Sequence, residues 1–146
     1  MTHFQGFDHI DTRVRSLSAV ERFYDRLMLE LGLPRKRLSF VDDAGDWHEL
    51  KPGQAHNVAE YFEEPTPDRP SYFIGFIEDP RMTPTRTRIA FRVSSRSEVE
   101  RWNARLRELG AVNVELSEDM DEYPAVFFED PAGTLLEIVA RKPANS

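Results

Sequence analysis

The sequence predicts an α+β protein built from two tandem βαβββ modules, whose sheets curve around a central cleft with the helices on the outside. Three observations predict it. The first is an internal repeat: with a shift of 79 positions, Ile10 falls on Ile89, Arg13 on Arg92, Val14 on Val93, Ser16 on Ser95 and Leu27 on Leu106. Positions 10 to 27 then contain ten identities, and a repeat of this kind governs the whole fold assignment. The second is that each copy opens with an alternating strand and runs into an amphipathic helix stopped by glycine. The third is that each copy continues with about three short strand-like runs separated by turn residues.

The elements follow in order. Phe7 to Val14 alternates, with Ile10, Thr12 and Val14 on one face and His9, Asp11 and Arg13 on the other. Ser16 or Ser18 then offers a cap, with Glu21 completing a capping box to Ser18. Val20, Phe23, Leu27 and Leu31 make a helical stripe, and Gly32 with Pro34 ends it. Arg37 to Val41 reads as a strand, Asp42 to Asp46 as a turn, and Trp47 to Leu50 as the return strand. Val58 to Phe62 fits a strand or a helical turn, and periodicity does not separate the two. Pro65, Pro67 and Pro70 mark a loop, and Ser71 to Ile77 is strand-like. The second copy reads as strand Thr87 to Val93 and helix Ser95 to Leu109 with the stripe Val99, Trp102, Leu106 and Leu109. Strands follow at Val112 to Leu116, Tyr123 to Glu129 and Thr134 to Arg141, with an acidic loop at Ser117 to Glu122. The chain is thus one domain over residues 1–146, with module 1 at about 5–78, a linker at about 79–86 and module 2 at about 87–141.

Composition narrows the function. Of 146 residues, 40% are hydrophobic and 31% charged, the balance of a soluble globular protein. A net charge of −7 argues against binding nucleic acid through its phosphates. The absence of cysteine excludes disulfides, thiolate metal sites and cysteine nucleophiles. No apolar run reaches the roughly 20 residues of a membrane span, and Met1 to Gly6 lacks a signal-peptide core. A cytoplasmic location, with no membrane and no nucleic-acid partner, is the expectation. No clustered glycines form a phosphate-cradling loop.

If the Ile/Val face of each opening strand meets the following helix, the other face carries His9, Asp11 and Arg13 in one module and Arg88 and Arg92 in the other. Glu137 stands among apolar residues on the last strand, where a carboxylate needs a partner. Its partner is either a ligand or an arginine, Arg88 or Arg92. Arg88, Arg92 and Tyr123 are the candidate substrate-binding residues, Arg88 as a bidentate anchor for an anion. Trp47, Tyr61, Tyr72, Phe76 and Phe127 are either pocket walls or core, and core is the commoner role for such residues.

The duplicated unit resembles the vicinal oxygen chelate superfamily of glyoxalases, bleomycin-resistance proteins and extradiol dioxygenases. The resemblance is carried by His9-Ile10, by Arg88 to Val93 and by the closing run Phe128 to Ile138, with its Asp-Pro-x-Gly-x-x-x-Glu spacing. It implies a small-molecule ligand in the cleft and a homodimer. It also implies a divalent metal (Zn, Fe, Mn or Ni) acting as a Lewis acid in a lyase, isomerase or ring-cleaving dioxygenase. Carried over, His9 and Glu137 are the metal ligands, with Glu137 also catalytic. Arg88 stands where the family often has histidine, and Ile74-Gly75-Phe76 holds no ligating side chain at the remaining position. A guanidinium has no lone pair to offer a metal. The alternative is therefore a metal-free binding or sequestering protein, or a module acting through its surface. His48, His56 and Glu60 are the residues that would have to complete a metal site.

Overall fold

A computed structural model describes residues 3–144; Met1 and Thr2, within the segment read for a leader, lie outside the described residues. The chain forms two compact units, Met1–Met82 and Thr83–Ser146. Together they hold two helices and nine strands in two curved sheets among the described residues, as expected for tandem βαβββ modules.

The first unit runs β1 (His9–Val14), α1 (Leu17–Leu31), β2 (Arg35–Val41), β3 (Trp47–His48), β4 (Val58–Phe62) and β5 (Phe73–Glu78). Its sheet has the order β1-β5-β4-β2-β3, with β1 parallel to β5 and the other neighbours antiparallel. The second runs β6 (Arg88–Val93), α2 (Arg96–Leu109), β7 (Val112–Leu116), β8 (Ala125–Glu129) and β9 (Leu135–Ala140), in the order β6-β9-β8-β7. Again the first strand is parallel to the last. The sequence register survives: β1 and β6 span matched positions, as do the starts of α1 and α2.

Several local expectations change. The segment 58–62 is a strand, and the return strand after the Asp42 turn is only Trp47–His48. Tyr123 precedes β8, because Pro124 has no N–H for a ladder and the strand begins after it. The two helix starts also differ. In α2 the Ser95 hydroxyl accepts from the Glu98 amide at 3.2 Å, an ordinary cap. In α1 Ser16 holds the cap backbone geometry but makes no capping bond; its hydroxyl meets that of Ser18. The free Leu17 amide instead donates to Glu78 Oε2 at 2.9 Å, from the end of β5. No Ser18–Glu21 box forms, because Ser18 is already inside the helix and Glu21 is taken by His56 and Lys36. Both helices stop at glycines in the left-handed region, Gly32 (φ 97°) and Gly110 (φ 100°), where a side chain would be strained.

The helices do not lie chiefly on the opening strands as expected. α1 packs over β4 and β5, and α2 over β7, β8 and β9. The strand order explains this: β1 and β6 are sheet edges, and each helix lies over strands away from that edge. Ile10 is accordingly 39% exposed, whereas Val20, Tyr24, Leu27 and Met28 of α1 are buried along with Ala59, Tyr61, Ile74 and Phe76. Tyr24 stacks on Phe76 with ring centres 3.7 Å apart, and Tyr61 donates its hydroxyl to Asp25 of α1. Tyr61 and Phe76 are therefore core. In the second unit Val99, Trp102 and Leu106 are buried with Val126, Phe128, Leu136 and Ile138. Each fully buried side chain of this size contributes about 1.5–3 kcal/mol.

Candidate functional site

In both units the helix-free face of the sheet carries the polar residues. The ladder sets their ranks, because side chains of paired residues share a face. In the second unit Arg88 is level with Leu135, Ala90 with Glu137 and Phe127, and Arg92 with Val139 and Ala125. Arg88 and Arg92 thus stand on the same face of the edge strand, each two residues from Ala90.

Glu137 is 5% exposed. The Tyr123 hydroxyl donates to its Oε1 at 2.5 Å, a charge-assisted bond of the short kind. This bond raises the Tyr123 pKa, so the phenol stays protonated and remains the donor. The Tyr123 ring lies parallel to Phe127 at 6.4 Å between centres. The Arg88 guanidinium sits 4.8 Å from the centre of the Phe127 ring, and that of Arg141 4.3 Å from the Tyr123 ring. Two rings are thus flanked by two cations, each contact worth about 0.5–1 kcal/mol when exposed. Among the described residues neither Arg88 nor Arg92 forms an ion pair with Glu137 or any other carboxylate. Of the two partners considered for Glu137, a ligand or an arginine, the arginine is not there among the described residues, and a tyrosine bonds the carboxylate instead. Its side chain arrives from the loop before β8, which strand alternation does not track.

The closing motif is structural. Asp130 is fully buried, and its Oδ1 accepts from the amides of Ala132 (2.8 Å) and Thr134 (3.0 Å). The Gly133 amide donates to the Asp130 carbonyl at 3.1 Å. The Asp-Pro-x-Gly run is therefore a self-bonded turn that sets the start of β9 and hence the position of Glu137. At the other end of this unit a cavity of about 720 Å³ is lined by Ser95, Arg96, Met120, Asp121 and Arg141; Arg88 and Glu137 are not among its walls.

In the first unit three ranks cross the sheet: His9–Phe73–Phe62–Arg35, Asp11–Gly75–Glu60–Arg37, and Arg13–Ile77–Val58–Ser39. His9 stacks on Phe73 at 4.5 Å, and Phe73 on Phe62 at 4.6 Å. His9 Nδ1 meets Asp8 Oδ2 at 2.6 Å and its Nε2 lies 3.7 Å from Asp11. The bond to Asp8 raises the His9 pKa, with Asp11 adding to it. The remaining histidines weighed for metal binding are engaged elsewhere, His48 with Asp42 at 2.7 Å and His56 with Glu21 at 2.5 Å. Trp47 and Tyr72 are exposed. Glu60 lies on the helix-free face and is 7% exposed. A lone carboxylate inside the apolar run Val58 to Phe62 was the signal for it, the same signal that singled out Glu137.

A metal fits this donor set poorly. Among the described residues no three of His, Asp and Glu are gathered so as to hold an ion. Position 88 offers a guanidinium and position 75 no side chain. Glu137 is bound to Tyr123. No described helix is long and apolar enough to cross a membrane.

Comparison with known proteins gives a family and a fold. The model of the glyoxalase/bleomycin resistance protein/dioxygenase superfamily matches residues 6–138. No curated protein matches. Among solved structures, a candidate glyoxalase from Bacillus halodurans is 26% identical, with 94% of this chain and 98% of that one covered and a TM-score of 0.60. A glyoxalase/bleomycin resistance protein from Albidiferax ferrireducens is 18% identical, with 93% and 98% covered and a TM-score of 0.60. The fosfomycin resistance protein of Listeria monocytogenes is also 18% identical, with 95% of both chains covered and a TM-score of 0.59.

Proposed function

The chain belongs to the glyoxalase/bleomycin resistance protein/dioxygenase superfamily, and from that membership we propose that it binds a small anionic molecule on the helix-free face of its second module without a metal. Arg88 is the anchor. The single observation that carries this reading is a guanidinium laid over the Phe127 ring and free of any ion pair among the described residues. A guanidinium so placed presents its in-plane N–H groups to a carboxylate, phosphate or phosphonate, which it binds bidentately. Arg92, on the same face beyond Ala90, supplies a second cation. Glu137, held by Tyr123, accepts from a hydroxyl or amine elsewhere on the ligand, and the Phe127 and Tyr123 rings favour a flat one.

The competing reading is a metal-dependent lyase, isomerase or dioxygenase. It rests on His9 and the buried Glu137 at the positions of family ligands. Two protein ligands are fewer than the three that catalytic zinc sites use. Divalent metals serve many members of this superfamily, and elemental analysis of the isolated protein separates the readings. About one equivalent of metal, lost in His9→Ala and Glu137→Ala, favours the enzyme. The homodimer implied by the family belongs to the same proposal and is checked by light scattering. For the anion reading, Arg88→Ala is expected to lose binding of a flat anion such as phenylphosphonate, with metal chelators having no effect.

A further inference from the structure

We propose that the helix-free face of the first module carries a site for a protonated amine, held between Asp11 and Glu60 over Gly75. The two modules are related by the same register, yet they place the carboxylate of this rank on different strands. In the second, Ala90 on the edge strand faces Glu137 on the closing strand. In the first the arrangement is reversed: Asp11 on the edge strand faces Gly75 on the closing strand. The side chain missing at position 75 is replaced from both sides. A β-carbon there would lie 2.8 Å from Asp11 Oδ1 and 3.5 Å from Glu60 Cγ. The Asp11 carboxylate and the Glu60 side chain therefore both lie over the glycine, and a side chain at position 75 would displace the Asp11 carboxylate.

Neither carboxylate of this pair accepts a hydrogen bond among the described residues, and Asp11 has His9 Nε2 only at 3.7 Å. The Glu60 side chain is 9% exposed and accepts no hydrogen bond among the described residues. Its nearest cation, Arg37, is 65% exposed and stands off at 3.8 Å, a pair that solvent largely screens. A second buried group on the same face is also unmatched. Ser39, two residues along β2 from Arg37, is 3% exposed and its hydroxyl has no partner. Buried polar groups without partners are rare, and a ligand that supplies donors to Glu60 removes that one; Ser39 lies one rank away, beside Val58. A primary ammonium brings three N–H donors on one positive charge. That matches two carboxylates on either side of a glycine better than a divalent metal does, for which three converging ligands are absent among the described residues. Burial, which raises the Glu60 pKa with help from Asp11, is the penalty such a cation relieves.

The test is a calorimetric and thermal-unfolding titration of the full chain with 1,4-diaminobutane at constant ionic strength, with butane-1,4-diol and sodium chloride as controls. Saturable binding of the diamine is expected, with a rise in the unfolding midpoint that neither control reproduces. Asp11→Asn/Glu60→Gln is expected to weaken it by at least about tenfold, and Gly75→Ala to do the same. Should the double variant fail to fold, Asp11→Asn alone decides, since Asp11 is partly exposed. No saturable binding, a shift equal to that of sodium chloride, or variants within about twofold of wild type would overturn the proposal. The probe carries no anionic group, so its failure leaves the anion reading of the second module standing.

Discussion

A carboxylate buried on a sheet face needs a donor or takes a raised pKa, and Glu137 and Glu60 differ in this. Glu137 has the Tyr123 hydroxyl at 2.5 Å. Tyr123→Phe removes that donor and leaves a buried acceptor unpaired, which should cost about 1–3 kcal/mol in urea unfolding. Glu60 has no such donor, and burial raises its pKa above the unfolded value. A carboxyl shifted this way contributes stability below its unfolded pKa and loses it as pH rises through the folded one. The groups facing it are Asp11 and His9 from β1, which respectively raise and lower it, and Arg37 from β2, which lowers it. Glu60→Gln should therefore raise the unfolding midpoint at neutral pH, and the gain should shrink as pH falls below the carboxylate range. A gain that is constant with pH would mean the effect is not ionisation. Glu137 could be singled out from sequence because its strand was clear. Glu60 carried the same mark, but its segment fitted strand or helix equally, so its face was undefined.

At the scale of elements, helical stripes, glycine stops and alternation are local patterns, and they placed both helices and most strands. The order of strands is not local. That β1 and β6 are edges depends on their parallel pairing with β5 and β9, tens of residues away. The helices consequently cover other strands and leave Ile10 exposed. Capping shows the same limit. Ser16 and Ser95 are matched residues in the repeat, yet only Ser95 bonds its helix, while α1 borrows Glu78 from β5. Ser95→Ala should cost about 1 kcal/mol, and Ser16→Ala no more than a few tenths, by denaturant unfolding. Equal costs would show that the side chains of the two starts act alike.

For the whole molecule, the repeat made the architecture legible, and the divergence between its copies carries the function. The second module presents Arg88 where the first presents His9 and Ala90 where it presents Asp11, and the carboxylates of the pivotal rank stand on different strands, Asp11 and Glu60 on β1 and β4 and Glu137 on β9. Superfamily membership supplies the fold, and the proposed preference for an anion over a metal rests on the residue at position 88. The most direct test is calorimetric titration of wild type and Arg88→Ala with phenylphosphonate, with and without EDTA. Binding that is unchanged by EDTA and weakened at least about tenfold in Arg88→Ala, or roughly 1.4 kcal/mol, is expected. Binding abolished by EDTA, or retained in Arg88→Ala, would contradict the assignment of Arg88 as a metal-independent anion anchor.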